Sequence, residues 1–269
     1  MSLGKSKLLA GKRGVVMGIA NHKSIAWACA QRLAEQGAEL ALNFLGDAQE
    51  KRVRELAKEL PSPPLVFPCD VTKDSDIAAF FAQIKQQWDG LDFIIHSIAY
   101  TDKENLKDKF LVVNRESFAK TMDVSVYSLI AVTREGAPLM RKGGSIVTMS
   151  YYGGEKVVPK YNVMGVAKSA LESTAKYLAY DLGEHNIRVN SISAGALRTL
   201  SSSAVSGIKD MMETSQMQAP LKRNITAEEV ANSALYLISD LSSGVTGETL
   251  HVDCGYNILG MFGDLELKK

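Results

Sequence analysis

Short runs of consecutive apolar residues alternate along the chain with longer stretches in which apolar positions recur every three or four residues. The runs at 13–17 (RGVVM), 39–44 (ELALNF), 65–68 (LVFP), 91–96 (LDFIIH), 144–150 (GSIVTMS), 187–192 (IRVNSI) and 248–252 (ETLHV) predict strands. Helical spacing predicts helices over 24–38, 48–60, 76–88, 115–140, 161–183 and 227–241, the first closed by Gly37 as a C-cap and the second followed by Pro61, Pro63 and Pro64. Strands that are apolar throughout and alternate with helices belong in a parallel sheet covered on both faces. The predicted fold is therefore α/β, a doubly wound parallel sheet forming a single domain over 1–269, with no boundary or internal repeat. After Ala194 the pattern lapses into the serine-rich RTLSSSAVSG and then IKDMMETSQMQAP. Small residues followed by Met211, Met212 and Met217 suit either a mobile helical lid over an apolar ligand, at about 199–219, or an ordinary surface helix.

In such a Rossmann-like sheet the ligand crevice lies beyond the carboxyl ends of the strands, so the residues following each strand are the candidate site. Gly18 closes the first strand, but GIANHKSIA places Ser24 and Ala26 where a G-x-G-x-x-G fingerprint has glycines. A serine there can contact a phosphate at a helix N-terminus beside Ile25, or simply cap the helix. Leu45 and Gly46 end the second strand with no cation in place, although Lys51 or Arg52 can fold back. A 2'-phosphate calls for a cation at that position, so NADH is favoured over NADPH. Asp70 and Val71 follow the third strand, Asp70 reading as an adenine contact or as a turn residue. Ser97, Ile98 and Ala99 follow the fourth, where small residues admit a ribose; His96 closes an apolar strand with no evident acidic partner and is not read as a base. Seven residues at about 3.6 per turn bring Lys168 to within roughly 20° of Tyr161 on one helix face, pairing a phenol with an ammonium. The bland alternative is an amphipathic helix with a snorkelling lysine. Tyr151, after the fifth strand, offers a second phenol to the same crevice.

Composition narrows the partners. The 269 residues are 46% hydrophobic, enough for one large core, and 31 basic residues nearly cancel 30 acidic ones. No broad field exists to attract nucleic acid or an anionic membrane, and no run approaches the length of a bilayer span. Cys29, Cys69 and Cys254 are odd in number and widely spaced, which points away from disulfides or a metal cage and toward a reducing, cytoplasmic compartment.

The set GIANHKSIA, CDVT, HSIA, SYYGGEK, YNVMGVAKSALE, IRVNSISAGALRTL and GETLHVDCGY, in this order over nearly the whole chain, closely resembles the bacterial NADH-dependent enoyl-acyl-carrier-protein reductases, a divergent branch of the short-chain dehydrogenase/reductases. Spacing separates the branch: the wider family uses Tyr-x3-Lys, whereas Gly165 occupies that place here and the lysine is Lys168. The resemblance implies fatty-acid elongation chemistry, reduction of enoyl thioesters carried on acyl carrier protein, with a homotetrameric assembly. It assigns Tyr161 to the thioester carbonyl, Lys168 to the nicotinamide ribose, and Tyr151 to the substrate side. It also implies cofactor contacts at Gly18, Ser24, Ile25, Asp70, Val71, Ser97, Ile98, Leu197 and Thr199, and substrate contacts at Tyr100, Met164, Ala204 and Met211; no metal is called for. Leu45, Ala99 and Ala196–Leu197 depart from the usual residues at their positions, the last pair losing a proline at the start of the lid. The alternative activity is that of a carbonyl or alcohol oxidoreductase using NAD(P).

Overall fold

The computed structural model of the chain describes residues 7–107, 109–199 and 207–261. Seven strands form one sheet: β1 (Arg13–Met17), β2 (Glu39–Phe44), β3 (Leu65–Pro68), β4 (Phe93–His96), β5 (Gly144–Ser150), β6 (Ile187–Ala194) and β7 (Thr249–Val252). All pairings are parallel, in the order β3-β2-β1-β4-β5-β6-β7. The strand order reverses between β1 and β4, and at such a switch point the flanking connections leave toward opposite faces and open a crevice.

Both faces are covered, as continuous apolar strands require. On one, the helices α1 (Ile25–Glu35) and α8 (Ala227–Ile238) enclose Val16, Leu42, Ile95 and Val147, with α2 (Gly46–Ala57) contributing Val53 and Leu56. On the other, α3 (Asp74–Gln87), α5 (Ser128–Gly136) and α6 (Val163–Leu182) cover Val15, Met17, Ile94 and Ile146. The α8 helix opens with a capping box between Thr226 and Glu229. No helix among the described residues is long and apolar enough to cross a membrane. Cys29, Cys69 and Cys254 are buried free thiols.

Three local departures from the expected elements bear on the site. The α2 helix starts at Gly46, two residues before the expected 48, because Gly46 takes φ +71 and turns the chain directly out of β2. The helix expected over 115–140 is interrupted: α4 (Arg115–Met122) passes through a π-turn at Asp123–Tyr127 before α5, and Pro138 sits in a closing 3₁₀ turn, Ala137–Leu139. The extra residue of the π-turn lets two serines face the sheet end. Ser125 Oγ lies 3.0 Å from Tyr100 N and 3.1 Å from Tyr100 O, and Ser128 Oγ lies 2.9 Å from His96 Nε2. Finally, α6 begins at Val163, so Tyr161 precedes the helix instead of opening it.

Candidate active site

The backbone shapes the crevice first. Gly18 has φ +96, and a Cβ built on it would fall 2.0 Å from Ser97 O, so only glycine lets the ends of β1 and β4 approach this closely. The Gly18 amide donates to Asn43 Oδ1 at 3.1 Å, and Asn43 Nδ2 donates to Cys69 O at 3.3 Å. Asn43 thereby ties the ends of three strands together. The sequence signal for it, a lone amide inside ELALNF, is too slight to have marked it as part of the site. Ser24 precedes α1 but does not cap it; its hydroxyl donates to Asn21 O at 2.6 Å and lines the crevice.

The resulting cavity, about 490 Å³, collects most of the expected residues. Gly18, Ser24, Ile25, Ser97 and Ile98 line the side built from β1 and β4. Tyr151, Tyr161, Lys168, Leu197 and Thr199 line the side built from β5, α6 and the segment after β6, and Tyr100, Met164 and Met211 form the apolar mouth. The lining also includes Ile208, within the expected 199–219 stretch, and Thr101, Lys103 and Leu106, which the sequence does not single out because single residues between strand and helix carry no periodicity. Leu106 and Met164 form a small apolar cluster against which Ala99, Tyr161, Ile208 and Met211 pack, and the last two belong to α7 (Ile208–Gln218).

Some expected residues stand elsewhere. Asp70 and Val71 are not in the lining. Oδ1 of the Asp70 carboxylate accepts from the amide and hydroxyl of Thr72, at 3.0 and 2.7 Å, which is a turn role, while Oδ2 lies 3.5 Å from Lys73 Nζ; Val71 is buried in the core beside Cys69. Ala204 lies outside the described residues. Leu45 is exposed, and Arg52 does fold back, its guanidinium donating to Ala20 O at 2.8 Å on the turn after β1.

Tyr161 and Lys168 are brought together, though not as neighbours along one helix face. Tyr161 sits between two residues of positive φ, Lys160 and Asn162, ahead of α6, while Lys168 reaches back from within the helix to donate to Met149 O at 2.6 Å. The rings of Tyr151 and Tyr161 meet edge to face with centroids 4.8 Å apart. Neither phenol hydroxyl has a hydrogen-bond partner among the described residues, so both donors are available to the cavity they line.

Burial dominates the electrostatics. It holds the Tyr161 phenol far above the ordinary tyrosine range, with Tyr151 and Glu172 adding to the effect, and pushes Tyr151 up to about 12. Burial draws Lys168 down to about 8, and the nearby Glu172 opposes that fall. The Glu172 carboxyl is itself raised by burial and accepts a hydrogen bond from Ser150. His96 is fully buried, drawn down to about 3 by burial and then by Lys168, and held between Thr148 Oγ1 and Ser128 Oγ at 3.0 and 2.9 Å. It is a neutral structural group, in agreement with the sequence reading. The site thus presents two neutral phenols and the buried, readily titrated ammonium of Lys168 in a largely apolar cavity, with Lys103 and several hydroxyls elsewhere in its lining.

Comparison with known proteins places these features in a family. The family model described as "Enoyl-(Acyl carrier protein) reductase" matches residues 18–257. The chain is 53% identical to the NADH enoyl-[acyl-carrier-protein] reductase 1 of Rhizobium meliloti (strain 1021) over 256 residues, 95% of this chain and 94% of that protein. Among solved structures, the NADH enoyl-[acyl-carrier-protein] reductase of Aquifex aeolicus VF5 superposes with a TM-score of 0.92 at 49% identity, covering 95% of this chain and 100% of that one. The Bacillus cereus enzyme, solved with NADP+ and an indole naphthyridinone, gives 0.93 at 48% identity, covering 94% of this chain and 99% of that one.

Proposed function

The chain belongs to the enoyl-(acyl carrier protein) reductase family, and from that premise we infer what its crevice does. It is an NADH-dependent oxidoreductase that reduces the trans-2 double bond of enoyl thioesters borne on acyl carrier protein, a reducing step of fatty-acid elongation. The residues present fit the cofactor: the glycine-only approach of Gly18 to Ser97 leaves backbone bare at the switch point, and Lys168 supplies a buried ammonium beside it. Gly18, Ser24, Ile25, Ser97, Ile98, Leu197 and Thr199 would hold NADH, with Lys168 on its ribose hydroxyls. When bound, NADH supplies the hydride that adds to the β-carbon.

The observation that carries the residue assignment is the pair of phenols, without a hydrogen-bond partner among the described residues, that face one largely apolar cavity. Hydride addition to an enoyl thioester moves negative charge onto the thioester oxygen, and a donor already in place stabilises it there. Tyr161 suits that role because burial keeps its phenol protonated, and so able to donate, at any working pH. Tyr151, packed on its edge, orients it and narrows the substrate side. Alcohol oxidation would use the phenol as a base, for which a raised pKa is the wrong direction, and the wider family's carbonyl and alcohol chemistry would place a lysine where Gly165 stands. Of the expected 199–219 lid, residues 200–206 lie outside the described residues, and α7 closes Ile208 and Met211 onto the acyl chain. Exposed Tyr177 and Tyr180 on α6 are consistent with burial in a homotetramer, and the buried thiols with a cytoplasmic setting.

The test is loss of absorbance at 340 nm with a crotonyl thioester. Wild type is expected to consume NADH, and Tyr161→Phe to lose about 10²-fold in turnover, the size of effect of removing one oxyanion donor, while retaining NADH affinity. Wild-type turnover in Tyr161→Phe would overturn the assignment.

A further inference from the structure

The backbone around Tyr161 carries an unexplained cost. Of the described non-glycine residues with positive φ, Lys160 (φ +66) and Asn162 (φ +46, ψ −122) directly bracket the phenol, and the latter conformation is one that glycine adopts far more readily. Strain of that kind persists only where the surroundings fix it. Asn162 stands at the N-cap position of α6, yet its side chain makes no capping bond. Its amide instead donates from Nδ2 to the carbonyl oxygen of Asn105 at 2.8 Å, across 57 positions of sequence.

Asn105 is itself anchored. It is buried, its amide nitrogen donates to Asp102 O at 3.0 Å, and its side-chain Nδ2 donates to Thr101 Oγ1 at 3.0 Å. Thr101 Oγ1 in turn lies 2.8 Å from Oγ1 of Thr121, which is fully buried in α4. Thr101, Lys103 and Leu106 line the crevice, and Leu106 packs on Met164 in the first turn of α6. The residue after the phenol is therefore fastened to the wall of the cavity that receives the acyl chain, and that wall is fastened to the α4 scaffold.

We propose that Asn162 is a positioning residue for the reaction: its bond to the Asn105 carbonyl holds Tyr161 off the start of α6, so that the phenol and the substrate wall keep one fixed separation. The proposal rests on the reading of Tyr161 as the donor to the thioester oxygen. A misplacement of about 1 Å suffices to cost up to 10²-fold in rate, so the tether acts on turnover more than on binding.

The test separates backbone strain from the tether. Asn162→Gly accepts the observed φ and ψ freely but has no side chain to donate, and Asn162→Asp keeps the shape but presents an acceptor to the Asn105 carbonyl. Each is assayed for turnover and KM with a crotonyl thioester, for NADH dissociation by fluorescence, and for melting temperature, beside Tyr161→Phe. Asn162→Gly is expected to melt at or above the wild-type temperature and bind NADH within about twofold of wild type while losing about tenfold or more in turnover. Asn162→Asp is expected to show the same loss. Wild-type turnover in Asn162→Gly alongside a crippled Tyr161→Phe overturns the tether alone. Unimpaired Tyr161→Phe overturns the underlying reading, and a loss in Asn162→Gly matched by an equal loss of NADH affinity shows a general disruption and also overturns the proposal.

Discussion

Lys168 makes the affinity for NADH a function of pH. The ammonium is buried beside the crevice and titrates at about 8, well below an exposed lysine, because desolvation disfavours the charged form and Glu172 restores only part of the loss. If the ammonium is the form that holds the ribose, the apparent dissociation constant scales as 1 + 10^(pH − 8). It then rises about 30-fold between about pH 7 and about pH 9.5, levelling at the value set by the neutral amine. NADH has no group titrating in that interval, so the slope belongs to the protein. The assay is fluorescence titration of NADH at constant ionic strength, with Lys168→Met as reference; that variant should bind weakly and show no slope. A wild-type constant that stays flat from pH 7 to 9.5, or a sloping one in Lys168→Met, would refute the reasoning.

The same group has a stability consequence of opposite appearance. Its pKa is lower folded than unfolded, so between about pH 8 and 10.5 the unfolded chain holds the extra proton and stability of the cofactor-free protein rises with pH. The shift from 10.5 to about 8 corresponds to about 3 kcal/mol. Below pH 8 that amount is the cost of burying the charge, and Lys168→Met should recover part of it at neutral pH.

Two further substitutions test the frame around the site. A Cβ on Gly165 would fall 2.7 Å from Gly153 O, so Gly165→Ala should lose about 1–3 kcal/mol to overpacking, exceeding the about 1 kcal/mol that alanine gains over glycine within a helix, and should lower turnover by displacing the loop under Tyr161. A variant melting above wild type would contradict that contact. Leu45→Arg places a cation at the end of β2, where Leu45 is exposed and Gln49 and Arg52 reach the neighbouring turn. A charge-assisted bond to a 2'-phosphate, about 1.5–3 kcal/mol, should raise kcat/KM for NADPH by about tenfold or more relative to NADH; an unchanged ratio would move the determinant of cofactor choice elsewhere.

Much of this architecture was legible because its causes are periodic. Continuous apolar runs gave seven strands and the parallel sheet, and the rule that ligands gather at strand carboxyl ends singled out Gly18, Ser97 and Tyr151 before any geometry was known. What escaped has non-periodic causes. The π-turn at Asp123–Tyr127 is one extra residue in a helical pattern that otherwise reads continuously, and its purpose lies in contacts with Tyr100 and His96 that are remote in sequence. Asp70 could be a ligand or a turn former on sequence alone, and only the three-dimensional arrangement shows Oδ1 turned inward to Thr72 while Oδ2 faces Lys73. Asn43 and Asn162 act through single side-chain amides bonded to distant backbone, which no local pattern announces.

The spacing of tyrosine and lysine shows how a correct motif can rest on an incomplete mechanism. A seven-residue interval on one helix face accounts for a shared direction, but Tyr161 is not on the helix. The separation instead follows from two constraints. The position four residues after Tyr161 is packed against the Gly153 carbonyl, so no side chain fits there and a lysine must come from deeper in α6. Side chains on a helix lean toward its N-terminus, so an amine set further along still reaches back to the strand end, where Lys168 meets Met149 O. The phenol, lifted off the helix by the positive-φ turn, occupies space that a lysine at 165 would have crossed. In this reading the longer interval is the consequence of close packing between the loop after β5 and the first turn of α6. Moving the lysine to 165 would therefore require rebuilding that loop, not just exchanging two residues.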